Sequence, residues 1–309
     1  MFENLIHADW SMHDHKKWMA TAKRTKLGWQ VTAPRLVPST SEFLDSWLLG
    51  GQSVLAGFDF PIGLPAAFGK NTGFSDFPQA LSEFGKGPWN DFFLVADRVD
   101  DISSTRPFYP RTYPKGRRQA DLLAALGVKS MDELLRACDR KTLTRRAACS
   151  IFWTLGGNQV GKAAIDGWRS VIQPSLRRGA RLWPFHGRLD DLSKSSGCVL
   201  CETYPQEAYS HLGVQLRQGG SKRRQDDRRD ACAPLFSWAK VRGVNFTDEL
   251  QETLLDGFGP SASGEDPFDA LAGLLSMIEV TDQRRAEGST PNAVGVAWEG
   301  WILGQSALS

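Results

Sequence analysis

The chain has no apolar run approaching the ~18 residues that a membrane span needs. It opens with MFENLIHADW, in which no basic segment leads into an apolar one, so no secretory signal is expected. Excess charge is also missing. A formal net charge of +2 over 309 residues neither demands nor excludes an anionic partner, because local patches outweigh the sum. Cysteine is scarce and odd in number: Cys138, Cys149, Cys198, Cys201 and Cys232 cannot make a complete disulfide framework and suit a reducing cytoplasm. Cys198 and Cys201 form a CxxC, but no second CxxC supplies the other half of a four-ligand zinc site. Internal repeats and low-complexity tracts are absent. With 41% hydrophobic and 23% charged residues, the composition is that of a globular protein. The length suffices for a sizeable core, as one large domain with an insertion or as two domains.

What is present is a set of short apolar runs that end on acids. Residues 2–11, 17–24 and 29–33 read as three strands of an antiparallel meander, with a turn at Gly28. Ser39 to Glu42 matches a helix capping box, and Phe43, Leu44, Trp47 and Leu48 follow at helical spacing. Val54–Phe58 is continuous and apolar, as expected of a central strand covered on both faces. From residue 64 the pattern changes: Gly, Pro and aromatics are frequent up to Pro114, and helices are expected over 118–126, 131–137 and 142–153. Sheet pattern resumes at Gly197, and helices are expected over 206–212, 226–242 and 267–279. The segment 282–292 reads as a polar linker, and 294–303 as a short strand or docked turn. Three strands, a helix, a strand, an insertion, a strand and helices make the order of a ribonuclease H-like α/β fold. Its mixed sheet would combine the meander with parallel strands, with helices on both faces. The core is expected over 1–64 and 197–309, with a mostly helical insertion over 65–196. Doubly wound nucleotide folds begin strand-helix-strand instead.

Asp9, Asp59 and Glu202 each end a short apolar strand, where open α/β sheets bind ligands. Asp266 and Asp269 lie in EDPFDAL. Pro267 suits a first helical turn, which makes Asp266 an N-cap candidate, and residues three apart share a helix face. Each acid alone reads as well as a turn former, a cap or a complement to the helix dipole. Converging carboxylates, however, cannot all stay ionised without a cation. Magnesium or manganese would satisfy them, and such ions support water activation and leaving-group stabilisation in phosphodiester cleavage. Lys222 falls in a loop between Glu202 and the acidic helix, so it is a candidate active-site cation.

These residues resemble the domain of unknown function 429 family, described as predicted nucleases with a ribonuclease H-like fold. The matching stretches are ADWS (8–11), FDFPIGLP (58–65), ETYPQE (202–207), DPFDAL (266–271) and EGWI (299–302). QVGK (159–162) and WPF (183–185) resemble larger members of the group. The resemblance spans most of the chain. It implies metal ligation by Asp9, Asp59 and Asp266 or Asp269, with Glu202 as a further candidate. Sugar kinases and actin-like ATPases share such a core but carry a Gly-rich phosphate loop after the opening strand. Here SMHDH follows, with no glycine.

His7, His13 and His15 flank Asp9 and read as metal or phosphate contacts or as ordinary turn residues. Glu299 either completes the metal set or caps the last segment. Basic clusters at 111–118, 140–146, 177–181 and 222–224, the first interleaved with Phe108, Tyr109 and Tyr113, suit phosphate contact and base stacking, or are solvated helix faces. Three readings follow: a metal-dependent nuclease or phosphodiesterase, a nucleic-acid-binding module without catalysis, and an enzyme acting on a nucleotide or phosphorylated metabolite.

Overall fold

The computed structural model describes residues 1–109, 119–141, 146–154, 159–288 and 293–306. The strands, in chain order, are β1 (Asn4–Asp9), β2 (Trp18–Thr25), β3 (Gly28–Val31), β4 (Arg35–Leu36), β5 (Ser53–Phe58), β6 (Arg181–Leu182), β7 (Gly197–Glu202) and β8 (Val244–Phe246). They form one mixed sheet, ordered β6-β7-β5-β1-β2-β3-β8, with β4 beside β2. The β1-β2-β3 meander is antiparallel, whereas β5, β6 and β7 run parallel to β1. This is the mixed sheet expected of a ribonuclease H-like α/β fold. Every residue of β5 is buried, because it lies between β1 and β7 and is covered on both faces.

Two apolar cores flank the sheet. One face packs Ile6, Ala8, Phe58 and Leu200 against α1 (Thr40–Leu48) and the insertion. The other packs Leu5, Leu55, Val199 and Cys201 against α11 (Glu265–Thr281) and its neighbours. Between α1 and α11 in sequence lie α2 (Ala66–Lys70), α3 (Phe77–Glu83), α4 (Gln119–Leu126), α5 (Val160–Gly167), α6 (Gln173–Arg177), α7 (Leu189–Leu192), α8 (Pro205–Leu212), α9 (Gln225–Arg242) and α10 (Asp248–Asp256); α12 (Ala293–Trp298) follows α11. Ser39 and Glu42 form the capping box of α1, each answering the other's backbone N–H. The all-round burial of α11 from Pro267 to Val280 matches its nearly uninterrupted apolar sequence.

The insertion differs from expectation in three ways. It contributes an edge strand, β6, which extends the sheet beyond β7. The described residues of 142–153, which are 146–153, contain no helix. Its helices are short, and α5 passes through a π turn at Trp168–Ile172 into α6, where Pro174 lacks the N–H that a continuous ladder would need. Past β7, the pair β8 and α10 adds elements that apolar periodicity does not reveal. The final segment is helical over Ala293–Trp298 and not a strand. Among the described residues, no helix is long and apolar enough to cross a membrane.

Candidate functional site

Strand register decides which acids meet. Ala8 of β1 pairs with Phe58 of β5, so the next residues, Asp9 and Asp59, stand level on adjacent parallel strands. Side chains alternate faces, so both carboxyls project to the α11 side, as the His7 ring does and as a Cβ on Gly57 would, toward Met277. The Trp10 backbone N–H donates to Asp59 Oδ1 at 2.7 Å and fixes that carboxyl. The chain then leaves the sheet through Pro61 and Gly63. Gly63 has φ of 136°, and a Cβ there would sit 2.3 Å from the Glu299 carbonyl oxygen.

Helix α11 supplies the other two acids. Its seat on β1 is unusually close at Gly273, where a Cβ would lie 2.2 Å from the His7 ring. His7 is fully buried and bonded to the Ala270 carbonyl (2.9 Å) and Thr203 Oγ1 (2.6 Å). Burial lowers its pKa to about 4, which keeps it neutral. That contact holds the first turns of α11 above the strand ends. Asp266 is not the N-cap. The cap is Gly264, and Asp266 lies in the first turn with Asp269 one turn on. Asp269 accepts from the Tyr209 hydroxyl and from Lys222 Nζ, and Lys222 sits over the Tyr209 ring, 5.3 Å from its centre.

The electrostatics of this group are one-sided. Burial pushes the Asp9 carboxyl well above its ordinary range, and Asp59, Asp269 and Asp266 add to the rise. Burial also raises Asp59, but there the hydrogen bond with Asp9, the Trp10 N–H and the Lys222 charge pull back. Asp9 and Asp59 therefore titrate as a pair and favour sharing one proton, as expected when two carboxyls crowd one site. Asp269 is raised by burial and by Asp59, and Asp266 by burial and Glu265. Burial lowers Lys222, while Asp9, Glu265, Asp59 and Asp266 hold its proton on.

Glu202 stands apart. It pairs with Phe58, one residue before Asp59, so its side chain emerges on the opposite face. There Arg136, fully buried, forks onto it: Nη1 to Oε2 at 2.5 Å and Nη2 to Oε1 at 2.7 Å. The same guanidinium reaches Asp139 through Nε and Nη2, each at 2.9 Å. Ile62 N–H donates to Glu202 Oε2 at 2.6 Å. Cys138, Asp139 and Glu202 offer atoms all within 4.8 Å of one another; among the described residues this is the close trio of potential ligands, and the Asp9 group is not. Arg136 already takes both oxygens of each carboxylate in that trio. Glu299 acts as a cap: Oε1 accepts from Ala66 N–H (3.1 Å) and Oε2 from Ala137 N–H (2.8 Å).

A cavity of about 1,080 Å³ opens over the strand ends. Asp59, Phe60, Pro61 and Glu202 belong to the core side, and Arg146, Cys149, Gln159 and Lys162 to the insertion. The wall is tied to the core by Trp168 Nε1 on the Pro61 carbonyl (2.7 Å) and Trp10 Nε1 on Asp166 (2.8 Å). Neither Arg136 nor Tyr209 stands out in the sequence. Only the unmet charge of Glu202 signalled the first, and the i+3/i+4 face following Pro205 the second.

Other expected contacts distribute differently. His13 and His15 are exposed. Phe108 and Tyr109 are buried, so they offer no face for base stacking. The cluster at 111–118, with Tyr113, lies outside the described residues, as does Arg145. Arg140, Lys141, Arg177 and Arg178 are exposed, and Arg178 pairs with Asp45 at 2.7 Å. Arg224 is engaged by Asp227 at 2.5 Å. Comparison of the chain with protein-family models, curated proteins and solved structures finds no match.

Proposed function

We propose that the protein is a metal-dependent phosphodiester hydrolase of the nuclease type, acting on nucleic acid or its fragments in the cytoplasm. One observation carries the reading: four carboxylates, Asp9, Asp59, Asp266 and Asp269, interact around the ends of β1 and β5, and all four are held above their ordinary range by burial and by one another or Glu265. The likeness to the domain of unknown function 429 family, in five short motifs, supports the same assignment. All five cysteines are free, four of them buried, which suits a reducing compartment.

Magnesium or manganese fits the donor set. The donors are hard oxygens, and a divalent cation would take over the neutralising role of the shared proton. Asp9 and Asp59, level on adjacent strands, would hold it, with Asp266 and Asp269 drawn in on binding, since no three of these acids lie within 4.8 Å of one another and Asp269 is shared with Tyr209 and Lys222. Bound there, it supplies water activation and stabilisation of the leaving oxygen. The chain's own groups do the rest. The Trp10 N–H orients Asp59, and the Tyr209 hydroxyl orients Asp269. Lys222, bonded to Asp269, balances part of the acids' charge. Glu202 holds Arg136 and with it the insertion, and so acts as a positioning residue.

The experiment is a cleavage panel of single-stranded and double-stranded DNA and RNA, with magnesium or manganese, on wild type and the Asp9→Asn and Asp59→Asn variants. The expected result is metal-dependent cleavage by wild type and its loss in both variants, each retaining the wild-type circular dichroism spectrum. Absence of cleavage across the panel overturns the reading.

A further inference from the structure

We infer that the substrate is a phosphate ester of a single nucleoside unit, either free or at the open end of a single strand, seated in the cavity over the strand ends. This rests on the hydrolase reading above and narrows it. At about 1,080 Å³ the cavity sits at the upper end of small-ligand clefts, which run to roughly 1,000 Å³. An internal stretch of duplex would have to extrude a nucleotide to reach it, at a cost of a few kcal/mol. The walls do not give way easily. Trp10 to Asp166, Trp168 to Pro61 and Arg136 to Glu202 bind the insertion to the core on three sides.

The cavity lining mixes acids, cations and amides. Asp59 is the member of the acid group that lines it. Lys162 on α5 and Arg146 bring positive charge to the same lining. A phosphate seated there has cations of the insertion to neutralise it and Asp59 at the wall, the kind of fixed charges that phosphoryl chemistry uses. Tyr204 and Gln206, at the start of α8, and Gln159, just before α5, line the remainder. A half-buried phenol, whose hydroxyl donates to Gln206 Oε1 at 3.3 Å, offers a flat face for a base, and the amide groups of Gln206 and Gln159 are of the type that base edges pair with. Lys162 projects from α5, the helix that Asp166 ties to Trp10, so its stem is fixed relative to the acids.

The test has a metal-free arm and a cleavage arm. Equilibrium binding of adenosine 5′-monophosphate and thymidine 5′-monophosphate is measured in a chelator, for wild type, Lys162→Ala and Lys162→Arg, with thermal melts as a folding control. The expected result is binding that weakens roughly tenfold in Lys162→Ala and recovers in Lys162→Arg, the size of one charge-assisted hydrogen bond. Binding to neither nucleotide, or binding that is indifferent to Lys162→Ala, overturns the inference. In the cleavage arm, a chromogenic ester of thymidine 5′-monophosphate, a linear single strand, a circular single strand and a closed circular duplex are compared with magnesium or manganese. Release from the ester and the linear strand, with both circles intact, supports the inference. Equal cutting of the circles overturns it while leaving the hydrolase reading in place. Nucleotide binding with no cleavage of any substrate overturns the hydrolase reading and keeps the site.

Discussion

Two acidic clusters lie near the same sheet edge and meet opposite fates. Around Arg136, a planar guanidinium answers Glu202 and Asp139 with paired bonds of 2.5–2.9 Å, and burial of Glu202 is opposed by that charge. Around Asp9, burial and the neighbouring acids push the same way, and the cation within the group, Lys222, is spread over several carboxylates. Both clusters are acidic; the first is buried and compensated, whereas the second is half-buried and its charges are only partly answered. A neutralised cluster fixes structure. An uncompensated one holds a free-energy deficit that a ligand of the right charge can relieve.

The comparison breaks most visibly through activity. Asp59→Asn is expected to lower metal-dependent cleavage a thousandfold or more, equivalent to about 4 kcal/mol of transition-state stabilisation. Its melting temperature should hold or rise, because a repelled carboxylate is gone. A large fall in melting temperature would place Asp59 with the structural acids instead. Next is Arg136→Ala, expected to cost about 3 kcal/mol in denaturant unfolding, because stripping one partner leaves two buried carboxylates uncompensated. Unchanged stability would dissolve the contrast between the clusters.

Gly273→Ala touches only the acid group. Alanine favours the helix by ~1 kcal/mol, yet its Cβ would lie 2.2 Å from the His7 ring. A net loss of about 2 kcal/mol is expected from overpacking. The tilt of α11 that relieves it should lower activity while Glu202 and Arg136 keep their pairing. A stabilised variant would show that the close seat of α11 is not needed.

The smallest effect is in pH and metal linkage. Asp9 and Asp269 have folded pKa values well above the ordinary 3.8. The native state therefore holds more protons than the unfolded chain above about pH 3.8. The acid group's contribution is full below that pH and declines as pH rises through the raised values. Asp9→Asn should flatten this decline in thermal melts recorded from pH 4 upward. Magnesium or manganese at ten times Kd should restore about 1.4 kcal/mol at the alkaline end for wild type. A decline that Asp9→Asn leaves intact would assign it to other groups.

Much of the sheet was legible because β1, β5 and β7 are short, mostly apolar runs that end at or just before an acid, and a turn at Gly28 separates β2 from β3. Asp9 and Asp59 were found for that reason. The face on which Glu202 emerges was not, because it depends on a register offset of one residue between β5 and β7. Arg136 left no local trace, since its bond to Glu202 crosses 66 positions. Strands of two or three residues, such as β6 and β8, fall below what periodicity resolves. Helix α10 is different: Thr247 caps Leu250 N–H and Gly257 ends it, and both signals stand in the sequence. The last helix contains Val294 and Val296 and reads as strand by propensity, but docking of Trp298 against the insertion outweighs that preference.

The two oxygens of Glu299 join amides that are 233 and 162 residues upstream, at Ala66 and Ala137. Such contacts close some of the longest loops in the chain, and closure entropy is spent before they form. A sheet of β1, β2, β3 and β5 needs only the first 58 residues. The ties Trp10 to Asp166, Trp168 to Pro61 and Arg136 to Glu202 are complete by residue 202, but the last clasp between insertion and core waits for residue 299. During synthesis the sheet can thus be assembled while α2 and the Ala137 turn still lack their Glu299 caps, and the Arg136 cluster can form before α11 brings Asp266 and Asp269. Pulse proteolysis of stalled chains ending before and after residue 299 would follow that order directly.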